Sequence, residues 1–250
     1  MAEQSRQPGM SRRSLVLLLA FVLPALAFLL MLGNWQVNRL QWKESLIATI
    51  ENRMNEAPAP VDDIISEWRA SGDVAYMPVR FEGVFDHAAE QHYLATHEGQ
   101  SGWYLYTPVE LADGRVLIVN RGFVPYDFKD PSNRPWTAPD GMVELIGVAR
   151  NPLAQKPGSL VPDNEPQNST WYWKDHSAMA ANMDLDEAAL IPFFVDVSGG
   201  SGAVTPGPVP GVTRVSLPNN HLQYAVTWFG LAAALAVVAG YFIWRSRRTP

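Results

Sequence analysis

The chain contains no cysteine among its 250 residues. That excludes disulfides, thiolate zinc sites, iron–sulfur clusters, CxxC redox chemistry and a thiol nucleophile, and leaves methionine as the only source of sulfur ligation. Charge is scarce as well, since 18% of residues are Asp, Glu, Lys or Arg against 47% hydrophobic. The mean hydropathy of −0.07 averages two very apolar stretches with a polar middle, so a uniformly soluble chain is not expected. The length allows one moderate core and excludes a multidomain machine. No internal repeat, Gly-x-Ser-x-Gly elbow or paired-carboxylate motif stands out. An exported hydrolase is kept as a secondary reading from another class.

Two uncharged runs are present, one near each end. Leu15 to Leu32 covers about 18 residues, or roughly 27 Å as a helix. Pro24 in its middle removes one backbone donor, which a spanning helix tolerates. Ala225 to Trp244 gives a second run of about 20 residues, also enough to cross a bilayer. Arg6, Arg12 and Arg13 precede the first run and Arg245, Arg247 and Arg248 follow the second, which predicts both termini on the cytoplasmic side. The tails net +5, while residues 34–220, with 13 basic and 24 acidic side chains, net −11. An acidic segment on the far side of a membrane is not a nucleic-acid binder. Trp35, Trp228 and Trp244 mark the membrane edges or the interhelical seam.

Ser11-Arg12-Arg13-Ser14 also resembles a twin-arginine signal, with Ala25-Leu26-Ala27 as a cleavage site. Unbroken hydrophobicity to Leu32 favours a retained anchor, and the amino-terminal tail lacks the character of a transit peptide, so a bacterial inner membrane is expected. The expected organisation is a cytoplasmic tail (1–13), transmembrane helix 1 (14–32), an exported periplasmic domain (33–220), transmembrane helix 2 (221–244) and a second cytoplasmic tail (245–250).

Apolar residues at 35, 42, 46, 50 and 54 extend the first helix to Ala57-Pro58. A short helix is predicted at Val61 to Ala70, capped by Asp62 or Asp63 and ending near Gly72. Strands are predicted near 78–86, 91–96, 103–110, 115–124, 142–150, 170–174, 191–197 and 212–216, with an Asp113-Gly114 hairpin turn. Asp175 to Met183 reads as a helix, and Ser198 to Gly211, rich in Gly, Pro and Ser, as a mobile loop. The expected fold class is an α+β membrane protein, in which two transmembrane helices flank an exported, mainly antiparallel β domain or small barrel with a few short helices.

Three separate motifs then align: Gly33-Asn34-Trp35-Gln36 with Arg39 and Lys43, Asn120-Arg121-Gly122-Phe123-Val124-Pro125, and Pro218-Asn219-Asn220-His221-Leu222-Gln223-Tyr224-Ala225 with Thr227-Trp228-Phe229. In these the chain resembles the Surfeit locus protein one family of cytochrome c oxidase assembly factors. The resemblance implies a protein with two spans that is required for building haem–copper (aa3-type) oxidase and does not turn over a substrate. In bacterial members it implies binding of haem a and its insertion into oxidase subunit I. His221 occupies the family position associated with haem, and Trp35 matches the family tryptophan. Expected partners are cytochrome c oxidase subunit I, haem a synthase and the lipid bilayer. A structural tether that holds oxidase components without touching haem is the alternative.

The residues support this reading in part. An imidazole at the bilayer edge offers a neutral nitrogen to haem iron, although a helix-start histidine bonded to backbone or headgroup is equally physical. Gln36, Arg39 and Lys43, at i, i+3 and i+7, form a face suited to haem propionates or to lipid phosphate. Arg121 is expected to pair with an acid inside the domain. His87, His92 and His97 recur every five residues, a spacing that does not converge on a metal, and His176, Met179 and Met183 are read as core packing rather than a Cu(I) set.

Overall fold

The computed structural model describes residues 11–203, 205–211 and 219–248, and the side chains only as far as 246 at the carboxyl end. The predicted strand at 212–216 lies outside the described residues. The chain divides into two compact units, residues 1–49 with 216–250, and residues 50–215.

The first unit consists of helix α1 (Arg12–Met54), whose last five residues belong to the second unit, and helix α4 (His221–Arg248). Both are long and apolar enough to cross a membrane. Most of their large apolar side chains face outward, including Phe21, Phe28, Val226 and Val237, as surfaces meant for lipid do. Pro24 sits inside α1 without interrupting it. On α4 the buried residues are Ala225, Ala232 and Ala239, seven apart, which is the spacing of a left-handed helix-pair seam. Close approach is visible at Gly33, where an added Cβ would lie 2.7 Å from the Phe229 ring. A larger side chain there would require the Phe229 ring to move. With Gly33 beside Phe229 and Gln36 beside His221, the helices run antiparallel.

The second unit is built from strands β1 (Ala59–Pro60), β2 (Pro78–Phe85), β3 (Gln91–His97), β4 (Gln100–Leu111), β5 (Val116–Pro125), β6 (Met142–Arg150), β7 (Thr170–Trp171) and β8 (Leu190–Gly199), with helices α2 (Val61–Ser71) and α3 (His176–Asn182). The hydrogen-bonded order is β1-β2-β6-β8-β5-β4-β3-β7, with a further β2–β4 pairing. That last pairing closes β2, β6, β8, β5 and β4 into a five-stranded barrel, in which only β5–β8 is parallel. This is the connectivity of an OB-type barrel. The alternation of side chains along β5 and β8 serves two cores. Leu117, Val119, Phe193 and Val195 pack with Ile64 and Ile65 of α2, whereas Ile118 and Phe194 pack with Met179 and Ala180 of α3 and with Met183 just after it. Both faces are covered by helices, so these strands are apolar on both sides.

Most predicted strand and helix positions coincide with the structure. Three local expectations are corrected. The segment read as a mobile loop from Ser198 is tied to the barrel, because β8 continues to Gly199, Val209 exchanges both backbone hydrogen bonds with Phe123, and Gly211 donates to the Val197 carbonyl. Gly122 permits this approach, with φ +125° and the Val209 oxygen 2.2 Å from where a Cβ would sit. Helix α2 is not capped by Asp62 or Asp63, which lie in its first turn after Pro60 and there complement the helix dipole. The strand predicted at 170–174 is two residues long, pairing with His92 and Tyr93 of β3 on one side while Thr170 bridges Glu165 on the other.

Candidate functional site

Helix α4 begins at His221, four residues before the uncharged run, and the Asn219 side chain accepts the His221 backbone N–H at 3.4 Å. The imidazole Nδ1 lies 2.8 Å from Oε1 of Gln36 on α1. Gln36 is 8% exposed and His221 partly buried, so the bond is protected from water and carries more weight than a surface contact. Since Gln Oε1 only accepts, Nδ1–H donates, which in the neutral ring places the lone pair on Nε2.

Other residues predicted for the site occupy two faces of α1. Trp35, Arg39 and Trp42, at i, i+4 and i+7, share an exposed face, where the Arg39 guanidinium lies 3.9 Å above the Trp42 ring. Lys43 falls one heptad after Gln36 and is half-buried. Along this stretch Gln36 and Lys43 lie toward the covered side of the helix, and Arg39 lies on its exposed side against Trp42. Gln36 is engaged by His221 rather than offered to an anion. The pairing of Gln36 with His221 was missed by the sequence reading, and the buried Gly33-x-x-Gln36 step on an otherwise apolar seam is the signal that marks it.

A second polar constellation lies inside the barrel unit. Glu90 accepts from Arg134 Nη2 at 2.6 Å and Nη1 at 3.2 Å, from His92 at 3.1 Å and from Arg121 at 3.4 Å. The side chains of Glu90, Arg121 and Arg134 are 4–7% exposed. Burial alone would raise the Glu90 carboxyl, but hydrogen bonds from His92 and Arg134, together with the Arg134 charge, leave it below its usual value. Burial lowers the Arg121 guanidinium, with Glu90 partly offsetting it. Arg121 also donates to His87 Nδ1 at 3.2 Å, and His87 Nε2 lies 2.8 Å from the Pro139 carbonyl. Arg134 further bonds the carbonyls of Phe128 and Lys129. The cluster therefore fastens residues 126–140 over Trp103, Leu105 and Val124, and the expected internal acid for Arg121 is Glu90. His87 and His92 belong to this scaffold, while His97 packs against Phe123 at 5.3 Å. His176 is 7% exposed against the Phe194 ring, with Met179 and Met183 in the same core.

The pattern of the SURF1 family matches residues 23–233, a span that begins within α1, contains the whole barrel and ends within α4. Surfeit locus protein 1 of Rattus norvegicus is 38% identical over 245 residues, covering 91% of this chain and 75% of the relative. The Homo sapiens protein of the same name is 38% identical over 220 residues, covering 81% and 70%. A SURF1-like protein of Monosiga brevicollis is 34% identical over 219 residues, covering 81% and 78%. With a match that runs from α1 through the barrel into α4, and 34–38% identity to relatives covered over 70–78% of their length, the chain belongs to the SURF1 family.

Proposed function

We propose that this protein is an assembly factor for aa3-type cytochrome c oxidase that binds haem a as cargo and assists its insertion into subunit I. The observation that carries the reading is His221, held in the helix pair through Nδ1 by Gln36, which leaves Nε2 outside that bond. A metal-binding histidine is ordinarily arranged in this way, with its second nitrogen donating to a fixed acceptor. Nε2 supplies an axial ligand to the haem iron, and the apolar helix surface beyond Ala225 receives the porphyrin. Trp35 adds an aromatic wall with an indole donor. Arg39 and Lys43 hold the two propionates, Arg39 by a bidentate bond and Lys43 as a point charge. Both helices cross the bacterial inner membrane with the termini in the cytoplasm, and the barrel is periplasmic, as the arginine-rich tails and acidic middle favour.

The test is the absorption spectrum of detergent-purified full-length protein coexpressed with haem a synthesis, wild type beside His221→Ala. A haem a chromophore in the wild type, lost or shifted in the variant, supports the reading. A colourless wild type that copurifies oxidase subunits replaces it with the tether, for which the exposed Trp35–Arg39–Trp42 face is the docking surface.

A further inference from the structure

Buried polar contacts between apolar helices are uncommon, and the Gln36–His221 hydrogen bond is one. Gln36 lies one turn beyond Gly33, where an added Cβ would meet the Phe229 ring, and its own side chain is buried between the helices. At 8% exposure its oxygen meets little competition from water. The imidazole is consequently fixed in rotation and in tautomer by a residue of the other helix. An acceptor on the distal N–H also makes the opposite nitrogen a stronger donor.

This inference rests on the reading of His221 as the iron ligand. We propose that Gln36 is the positioning residue of the site, and that it sets which nitrogen faces the iron and how strongly that nitrogen donates. Because the bond joins the two helices, a slide of one helical turn, about 5.4 Å, takes its 2.8 Å contact beyond hydrogen-bond range. The grip on haem is thereby coupled to the packing of α1 on α4, and a partner that shifts one helix along the other loosens the cargo without touching it.

The experiment compares full-length wild type, Gln36→Leu, Gln36→Glu and His221→Ala, each purified in detergent after coexpression with haem a synthesis. Haem retention and the midpoint potential of the bound haem are read, with helical circular dichroism as the check on folding. Gln36→Leu removes the acceptor and is expected to weaken retention by about 10- to 100-fold, the usual effect of losing such a support. Gln36→Glu keeps an acceptor and strengthens it, so haem is retained and its midpoint potential falls below that of the wild type. A residue that only packs the helices would leave the potential where it was. If both Gln36 variants match the wild type in retention and potential while His221→Ala releases haem, the positioning role is overturned and the ligand stands. If His221→Ala keeps haem with an unchanged spectrum, the ligand assignment fails and the positioning role fails with it. Should Gln36→Leu not fold, the potential of Gln36→Glu decides.

Discussion

Replacing Glu90 with glutamine removes one charge and almost no volume, at the point where the barrel holds its 126–140 segment. The carboxylate receives four contacts, two from Arg134 and one each from His92 and Arg121. Glutamine keeps one oxygen, enough for the 2.6 Å bond from Arg134 Nη2, and turns an NH2 group toward donors on the other side. Two guanidiniums then remain buried without a counter-charge. Removing one partner of a buried ion pair costs about 3–5 kcal/mol, and the retained bond places Glu90→Gln near the lower end. At about 2–4 °C per kcal/mol for a domain of this size, the melting temperature should fall by about 6–12 °C. Glu90→Ala should fall further. Trp103 reports the loss, because its Nε1 donates to the Tyr126 carbonyl within the fastened segment, so tryptophan emission and denaturant unfolding of the full chain give the assay. The sign with pH is also determined. The folded Glu90 carboxyl lies below its ordinary 4.5, so its contribution is complete above that value and is lost as pH falls through the folded one. Glu90→Gln should therefore flatten the stability profile below pH 4.5. A Glu90→Gln protein within about 0.5 kcal/mol of wild type, the range of ordinary surface changes, would refute the argument.

Gly33→Leu should separate the helix pair at a cost of about 1–3 kcal/mol for overpacking, seen as lower cross-linking between cysteines placed in α1 and α4 of this cysteine-free chain, with Phe229→Ala restoring it. Gly122→Ala should weaken the barrel by about 1–3 kcal/mol, since it meets both an unfavourable φ and the Val209 carbonyl, and hydrogen exchange should quicken at the Phe123 and Val209 amides. Burial lowers the His176 imidazole below its usual 6.5, so the folded state resists its protonation and stability should fall as pH drops below that value. His176→Leu should remove that part of the slope in unfolding measured from pH 7.5 to 5.

Residue order alone determined the features that depend on near neighbours. Two uncharged runs specify apolar helices, β-branched segments between Gly, Pro and Asp specify strands, and Asp113-Gly114 specifies a turn, because helix period, strand alternation and turn chemistry act over a few residues. His221, Trp35, Arg39 and Lys43 were legible as candidates for the same reason, by type and position beside the runs. Tertiary structure decided what joins distant positions. The β2–β4 pairing that closes the barrel and the parallel β5–β8 pair have no local signal. Glu90 finds Arg121 and Arg134 31 and 44 residues away, and His221 finds Gln36 across 185. Periodicity put Gln36, Arg39 and Lys43 near one another on α1, but only the position of α4 decided that Gln36 turns to histidine while Arg39 lies on Trp42. A helix has many faces of similar composition, and which one is buried is set by the partner that covers it.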